Sequence, residues 1–231
     1  MCNRVTLREV PHDVARILEL FNIPPLAARF NIAPTEDLLI FRRKGTQYEA
    51  CHAHWGLQPR WMKDSRDATL FNARSETLDT KPAFREAFFE RRCLIPVDGF
   101  YEWETRGRRK LPHHFTLKHA RPFALAGLYE SSEAEPEKLS CTIITVDSND
   151  LLRPFNERMP AILDEDSFKT WLDPEERDAA SLKTLLKTYD AQKMTSRRVN
   201  PYVNKSGNEG PQCLEEPAPE PPQMVQGTLF E

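Results

Sequence analysis

A cysteine stands second in the chain, in Met1-Cys2-Asn3-Arg4. Removal of the initiator methionine, which a small second residue permits, leaves an amine and a thiol on one residue. The amine of such a 1,2-aminothiol condenses with an aldehyde to an imine, and the thiol then closes on the imine carbon to give a five-membered thiazolidine. Reference pKa values of about 7.7–8.0 for the amine and about 8.5 for the thiol keep an appreciable fraction of each nucleophilic near neutral pH, with no metal or cofactor. Position alone is also compatible with a cysteine in a frayed terminus, so other residues must decide.

Two further segments carry polar groups that plain structure does not require. Phe71-Asn72-Ala73-Arg74-Ser75-Glu76-Thr77 brings together an amide, a guanidinium and a carboxylate after an apolar residue. Val97-Asp98-Gly99-Phe100-Tyr101-Glu102-Trp103 has a glycine suited to an unusual turn, then a carboxylate between two aromatics. Partial desolvation there would raise the pKa of Glu102 toward the range useful for proton transfer; on a simple alternating strand it would face solvent instead.

The elements that must position these groups follow from periodicity. Val14, Ile17, Leu18 and Phe21 recur at helical spacing and predict a helix over 12–22, ended by Pro24-Pro25. Further helices are expected over 81–90 with Thr80 as cap, over 165–172, and over 174–189 with Asp173 as cap and Pro174 in the first position. Strand-like runs occupy 38–41, 47–53, 93–97, 100–104, 114–118, 123–128, 141–146, 161–163 and 195–199. Strands concentrated mid-chain, without strict helix alternation, predict an α+β domain over 1–212, built on a curled, mainly antiparallel sheet or open barrel with flanking helices. Residues 213–231 are expected to be a flexible tail, because 214–225 (LEEPAPEPPQMV) offers prolines and glutamates and almost nothing to bury.

Composition narrows the classes. With 231 residues and 39% hydrophobic content the chain can build a sizeable core. No long apolar run or signal-like amino terminus occurs, so no membrane role is expected and the cytoplasm is the expected compartment. The five cysteines are odd in number and lack zinc-ligand spacing, which predicts reduced thiols and no metal. A net charge of −3 conceals basic stretches at 101–121 and 193–205, offset by glutamates within 209–220. Standing alone, each basic stretch reads first as ordinary solvated surface, with nucleic-acid contact as the alternative.

Taken together, these segments resemble the SRAP family, named SOS-response-associated peptidases and understood as abasic-site processing proteins. The resemblance is carried by Met1-Cys2, Arg29-Phe30-Asn31-Ile32-Ala33-Pro34, Trp55-Gly56-Leu57-Gln58-Pro59-Arg60-Trp61, Asn72-Ala73-Arg74-Ser75-Glu76, the run from Arg92 to Trp103, Thr142-Ile143-Ile144-Thr145 and Arg158-Met159-Pro160, in that order. It implies that mature Cys2 captures the ring-opened aldehyde of an abasic site in single-stranded DNA as a thiazolidine crosslink. Asn72 then positions the opened sugar, and Glu102 moves protons during ring opening, imine formation and closure. Many members carry His-x-Arg-Met-Pro where this chain has Asn156-Glu157-Arg158-Met159-Pro160. An amide does not titrate near neutrality, so slower capture or a less reversible crosslink is expected. His113 or His114 could substitute for that histidine in space, but both sit in a strand-like stretch and are read as structural or DNA-facing.

By the same resemblance the DNA contacts are Arg74, Arg158, Trp61, Pro34 and Thr145, with Arg4 and Arg29 behind them. Trp55 reads as core rather than as a stacking platform. The terminal Gln226-Gly227-Thr228-Leu229-Phe230 resembles peptides that bind the bacterial sliding clamp through Gln226, Leu229 and Phe230. A monomer acting in the cytoplasm, with the nucleoid at replication forks, is implied, and no cofactor. Two other classes of function compete: a thiol peptidase, with self-removal of Met1 as its plausible remnant, and a non-covalent single-stranded DNA module.

Overall fold

Two β-sheets share one apolar core, and a computed structural model describes them over residues 2–62, 70–131 and 135–219. The first sheet is five-stranded and antiparallel throughout. Its order is β12 (Met194–Arg198), β8 (Arg109–Leu117), β7 (Gly99–Arg106), β1 (Val5–Leu7) and β2 (Arg29–Ile32). The second contains β3 (Asp37–Lys44), β4 (Gln47–Trp55), β5 (Asn72–Arg74), β6 (Arg92–Val97), β9 (Phe123–Ser131), β10 (Leu139–Asp147) and β11 (Arg158–Pro160). β9 pairs with both β6 and β10, and β10 also pairs with β4, so the sheet closes into a barrel. The expected α+β curl is therefore present, and closure removes the edges of the most apolar strands.

Closure explains why β6, β9 and β10 read as continuous apolar runs: nearly every residue in them is buried. A Cβ at Gly127 would lie 2.7 Å from Ile95 Cδ1 and 2.9 Å from Cys93 Sγ, so only glycine lets β9 and β6 approach there. Trp55 is fully buried and donates its indole N–H to the Phe71 carbonyl at 2.8 Å. A second, smaller apolar cluster joins Tyr101 to Val199, Val203, Cys213 and Leu214. Packing thus continues past residue 212, and Asn200 N–H donates to the carbonyl of Glu215.

The helices are shorter than their apolar periodicity suggests. Helix α1 spans His12–Ile17, not 12–22. Glu19 adopts φ 55°, and Leu20 N–H turns back to the Ala15 carbonyl, a left-handed stop made without the usual glycine. Phe21 consequently leaves the stripe and is 92% exposed. Helix α2, Pro82–Glu90, buries Phe84, Ala87 and Phe88 as expected, but Thr80 does not cap it; its hydroxyl bonds Thr77 O instead. A 3-10 turn, Glu165–Ser167, leads into α3, Phe168–Leu172. Helix α4 covers only Ala179–Leu185, with Asp178 accepting from Ser181 N–H; Asp173 is engaged by Arg43. The strand expected over 161–163 is reduced to one bridge, Leu125 to Ile162, and β11 forms just before it. Among the described residues no helix is long and apolar enough to cross a membrane. Gln226, Leu229 and Phe230 lie outside the described residues.

β1 is only three residues long, yet it sits between β2 and β7. A buried polar network holds it. Thr6 Oγ1 donates to Asp98 Oδ1 and meets His114 Nε2 at 3.1 Å, while Asp98 Oδ2 accepts from Arg8 N–H at 2.6 Å and from Arg8 Nε at 3.0 Å. Gly99 serves this network: its φ is ordinary, but a Cβ would fall 2.2 Å from His114 Nε2. The glycine is thus a close-approach residue rather than the turn former expected from sequence. Burial holds His114 down to about 3, reinforced by the charges of Arg8 and Arg197.

An unfolded chain protonates that imidazole near pH 6.5 and the folded protein only near 3. The neutral ring therefore contributes stability that is complete above pH 6.5 and is lost as pH falls through this window. Urea midpoints should drop across pH 6.5–3, and less steeply in His114→Gln. Thr6→Val, which leaves buried partners unsatisfied, should cost about 1–3 kcal/mol at pH 7. Identical pH slopes for parent and His114→Gln would contradict this account.

Candidate active site

Residues remote from one another in sequence line one open cleft of about 650 Å³, whose walls include Asn3, Pro34, Phe71, Glu102, Trp103 and Asn156. Cys2 enters from the start of β1 and is fully buried, its thiol 4.0 Å from the Arg4 carbonyl. Burial pushes the thiol far up, and the negative charge of Glu102 pushes it further. A thiol so placed is protonated at neutral pH and needs a base before it can attack.

Glu102 projects from β7 and is 5% exposed. Desolvation raises its pKa to about 7, against the opposing effects of the positive chain terminus and of a hydrogen bond from Asn156. The Asn156 amide donates to both carboxylate oxygens, at 3.3 and 3.2 Å, and its own Oδ1 accepts from Arg158 N–H at 3.1 Å. Glu102 is therefore the desolvated carboxylate expected from its aromatic neighbours, poised to exist in both protonation states near neutrality.

Asn72 arrives on β5, which pairs in parallel with β10. Its Nδ2 donates to Asn3 Oδ1 at 3.0 Å, linking β5 to the residue after Cys2. Its Oδ1 is buried and makes no hydrogen bond among the described residues. Among the described residues no group of three or more His, Cys, Asp or Glu could hold a metal ion.

The cationic and aromatic candidates divide into two sets. Arg158 is a strut: its guanidinium bonds Glu76 at 2.7 and 3.1 Å, Asp147, and the Thr145 carbonyl at 2.6 Å. Arg4 bonds Asn31 Oδ1 at 2.7 Å and the Val203 carbonyl at 2.9 Å, with Trp103 5.7 Å beneath its guanidinium. Arg29 is paired with Glu36 and Glu209 at 2.6 and 2.8 Å. Thr145 is fully buried and its hydroxyl bonds the Ala73 carbonyl, so its side chain faces the protein rather than the cleft. Arg74 is exposed and Trp61 is 60% exposed, while Pro34 lies on the cleft wall. Sequence reading passed over Asn3, Trp103, Lys110, Asn204 and Ser206, which also line the cleft. Trp103 and Asn3 carried a signal as neighbours of Glu102 and Cys2, and Lys110 and Asn204 fall within the two basic stretches; Asn204 and Ser206 arrive from a distant segment after β12.

Residues 1–206 match the family model described as SOS response associated peptidase (SRAP), a span that takes in every one of these cleft residues. The chain belongs to the SRAP family. It is 38% identical over 226 residues to the abasic site processing protein YoqW of Bacillus subtilis, covering 93% of this chain and 99% of that one. It is 31% identical over 188 residues to the abasic site processing protein HMCES of Gallus gallus, covering 69% of this chain and 55% of the relative. Among solved structures, a Bacteroides thetaiotaomicron protein superposes with a TM-score of 0.80 at 27% identity, over 93% of this chain and 99% of that chain. A Bordetella bronchiseptica protein gives 0.71 at 26%, over 86% and 100%. Within this SRAP chain, position 156 is an amide that bonds the Glu102 carboxylate.

Proposed function

We propose that this SRAP protein processes abasic sites in single-stranded DNA by forming a covalent crosslink through Cys2 after loss of Met1. The observation that carries the reading is a Glu102 poised near neutrality on the wall of a cleft that Asn3 and Phe71 also line, the residues next to Cys2 and Asn72, with the Glu102 charge acting on the Cys2 thiol and Asn72 bonded to Asn3. The names of the relatives, abasic site processing proteins, point the same way.

The chemistry fits the local electrostatics in one order. The Cys2 amine adds to the C1′ aldehyde of the opened sugar, and protonated Glu102 supplies the proton with which hydroxide leaves as water. The resulting iminium carbon is then attacked by Sγ, whose proton passes to the Glu102 carboxylate. One water is released, one C–N and one C–S bond form, and Glu102 ends as it began. Amine attack precedes thiol attack because the thiol, buried beside a carboxylate, is the more heavily protonated of the two. Asn72 Oδ1 accepts a hydrogen bond from a hydroxyl of the opened sugar. Arg74 and Trp61 supply phosphate contact and base stacking from the surface, and Pro34 forms the cleft wall. The internally paired Arg4, Arg29 and Arg158 brace that wall, and the tail through Gln226, Leu229 and Phe230 tethers the protein to a sliding clamp.

Mixing the mature protein with single-stranded DNA bearing one abasic site should yield a heat-stable shifted band in a denaturing gel, and Cys2→Ala should yield none. Asn156→His should accelerate capture or reversal. A Cys2→Ala protein that shields the lesion as well as the parent would instead favour the non-covalent DNA module, and cleavage of added peptides the peptidase. Arg74→Ala should weaken binding across sequences and lower the slope of log affinity against log salt by roughly 0.7, the contribution of one phosphate contact on a single strand; an unchanged slope removes Arg74 from the phosphate track. Deleting 226–231 should abolish clamp pull-down while leaving crosslinking in solution intact.

A further inference from the structure

The chain lacks an imidazole at position 156, and a different imidazole faces Glu102 from the neighbouring strand. In the β7–β8 ladder Glu102 is directly opposite His113. Directly opposed residues project on the same face with Cβ atoms about 4.5–5.5 Å apart. The His113 ring packs on Phe155, centroids 4.6 Å apart, and Phe155 immediately precedes the Asn156 that bonds Glu102. Phe155 also meets Phe115 edge-on at 5.1 Å, which fixes the ring pair beneath the cleft. His113 Nε2 is buried, with Glu104 Oε2 3.7 Å away.

We propose that His113 is a positioning residue for Glu102, its imidazole governing from the opposite strand how readily the carboxylate gives up its proton, a task an amide at position 156 cannot perform. This rests on the reading of Glu102 as the group that moves protons in crosslinking. The charged groups around His113 set the terms. Glu102 and Glu104 face it from β7, with Glu104 Oε2 3.7 Å from Nε2, and Arg198 is its register partner on β12. Burial is the largest influence and holds His113 below an ordinary histidine; Glu104 opposes this, while Arg198 and Arg106 reinforce it. At neutral pH the ring is therefore mainly uncharged. As Glu102 ionises, its negative charge favours the imidazolium across the ladder. The two groups then exchange preference for one proton, and their titrations belong to the pair rather than to either residue.

The test reads Glu102 directly, without DNA, by 13C NMR of its carboxyl across pH 4–9 in the intact mature protein. The parent should show a broadened curve with an acid-side shoulder. In His113→Phe, which keeps an aromatic ring against Phe155, the shoulder should vanish, leaving a one-proton curve whose midpoint differs by about half a pH unit or more, the coupling expected at ~6 Å even under full water screening. The terminal amine cannot imitate this, because it titrates on the alkaline side. His113→Gln should behave as His113→Phe, and adding Asn156→His to either should restore an acid-side step. Superimposable Glu102 curves in the parent and both His113 variants would overturn the proposal. Absence of a Cys2-dependent crosslink would overturn the crosslinking reading instead, and the carboxyl titration separates the two failures.

Discussion

Everything at the cleft depends on how a three-residue strand is held. β1 is too short to be stable on its own ladder bonds, and it is flanked on both sides by β2 and β7. The buried Thr6–Asp98–His114 contacts and the two bonds from Arg8 to Asp98 pin it to the next strands, and Gly99 is the residue whose missing Cβ makes room for them. Cys2 lies four residues before Thr6, so the location of the thiol is a consequence of that polar network. A terminal cysteine would otherwise fray, as most chain ends do.

Desolvation acts on the site in two directions. It brings Glu102 to about 7, where a carboxylic acid can give and take protons, and it makes the neighbouring thiol a poor nucleophile. The two effects are complementary, since a base that is itself half-protonated near neutrality can release a buried thiol once an electrophile is in place. The same economy governs the arginines. Arg4, Arg29 and Arg158 are spent on carbonyls and carboxylates that tie β1, β2 and β11 to distant segments, whereas Arg74 stays exposed.

The long strands were legible because closure of the barrel buries them on both faces and leaves unbroken apolar runs at 93–97, 123–128 and 141–146. The short strands β1, β2, β5 and β11 were not, and these carry or adjoin Cys2, Asn31, Asn72 and Arg158. Each spans three or four residues, too few for any period to emerge, and each is held by partners remote in sequence. Helix ends were misread for a related reason. At Glu19 the chain stops α1 by adopting a conformation usually left to glycine, and Asp173, whose Oδ1 accepts from Glu175 N–H as well as Arg43, opens only a turn, the helix being capped by Asp178.

The sequence alone determined which groups are chemically competent: a second-position cysteine, a carboxylate between aromatics, an amide three residues ahead of a serine, and an amide at position 156. These are properties of residue type and local order, and they carried the family resemblance. Tertiary structure decided their ionisation and their company. Only burial makes Glu102 a group poised at neutrality, only the sheet register sets His113 opposite it, and only the engagement of Arg4, Arg29, Thr145 and Arg158 separates braces from ligand contacts. Solvation and pairing depend on residues distant along the chain, and their effect on a charge appears only when the fold brings them within a few ångströms.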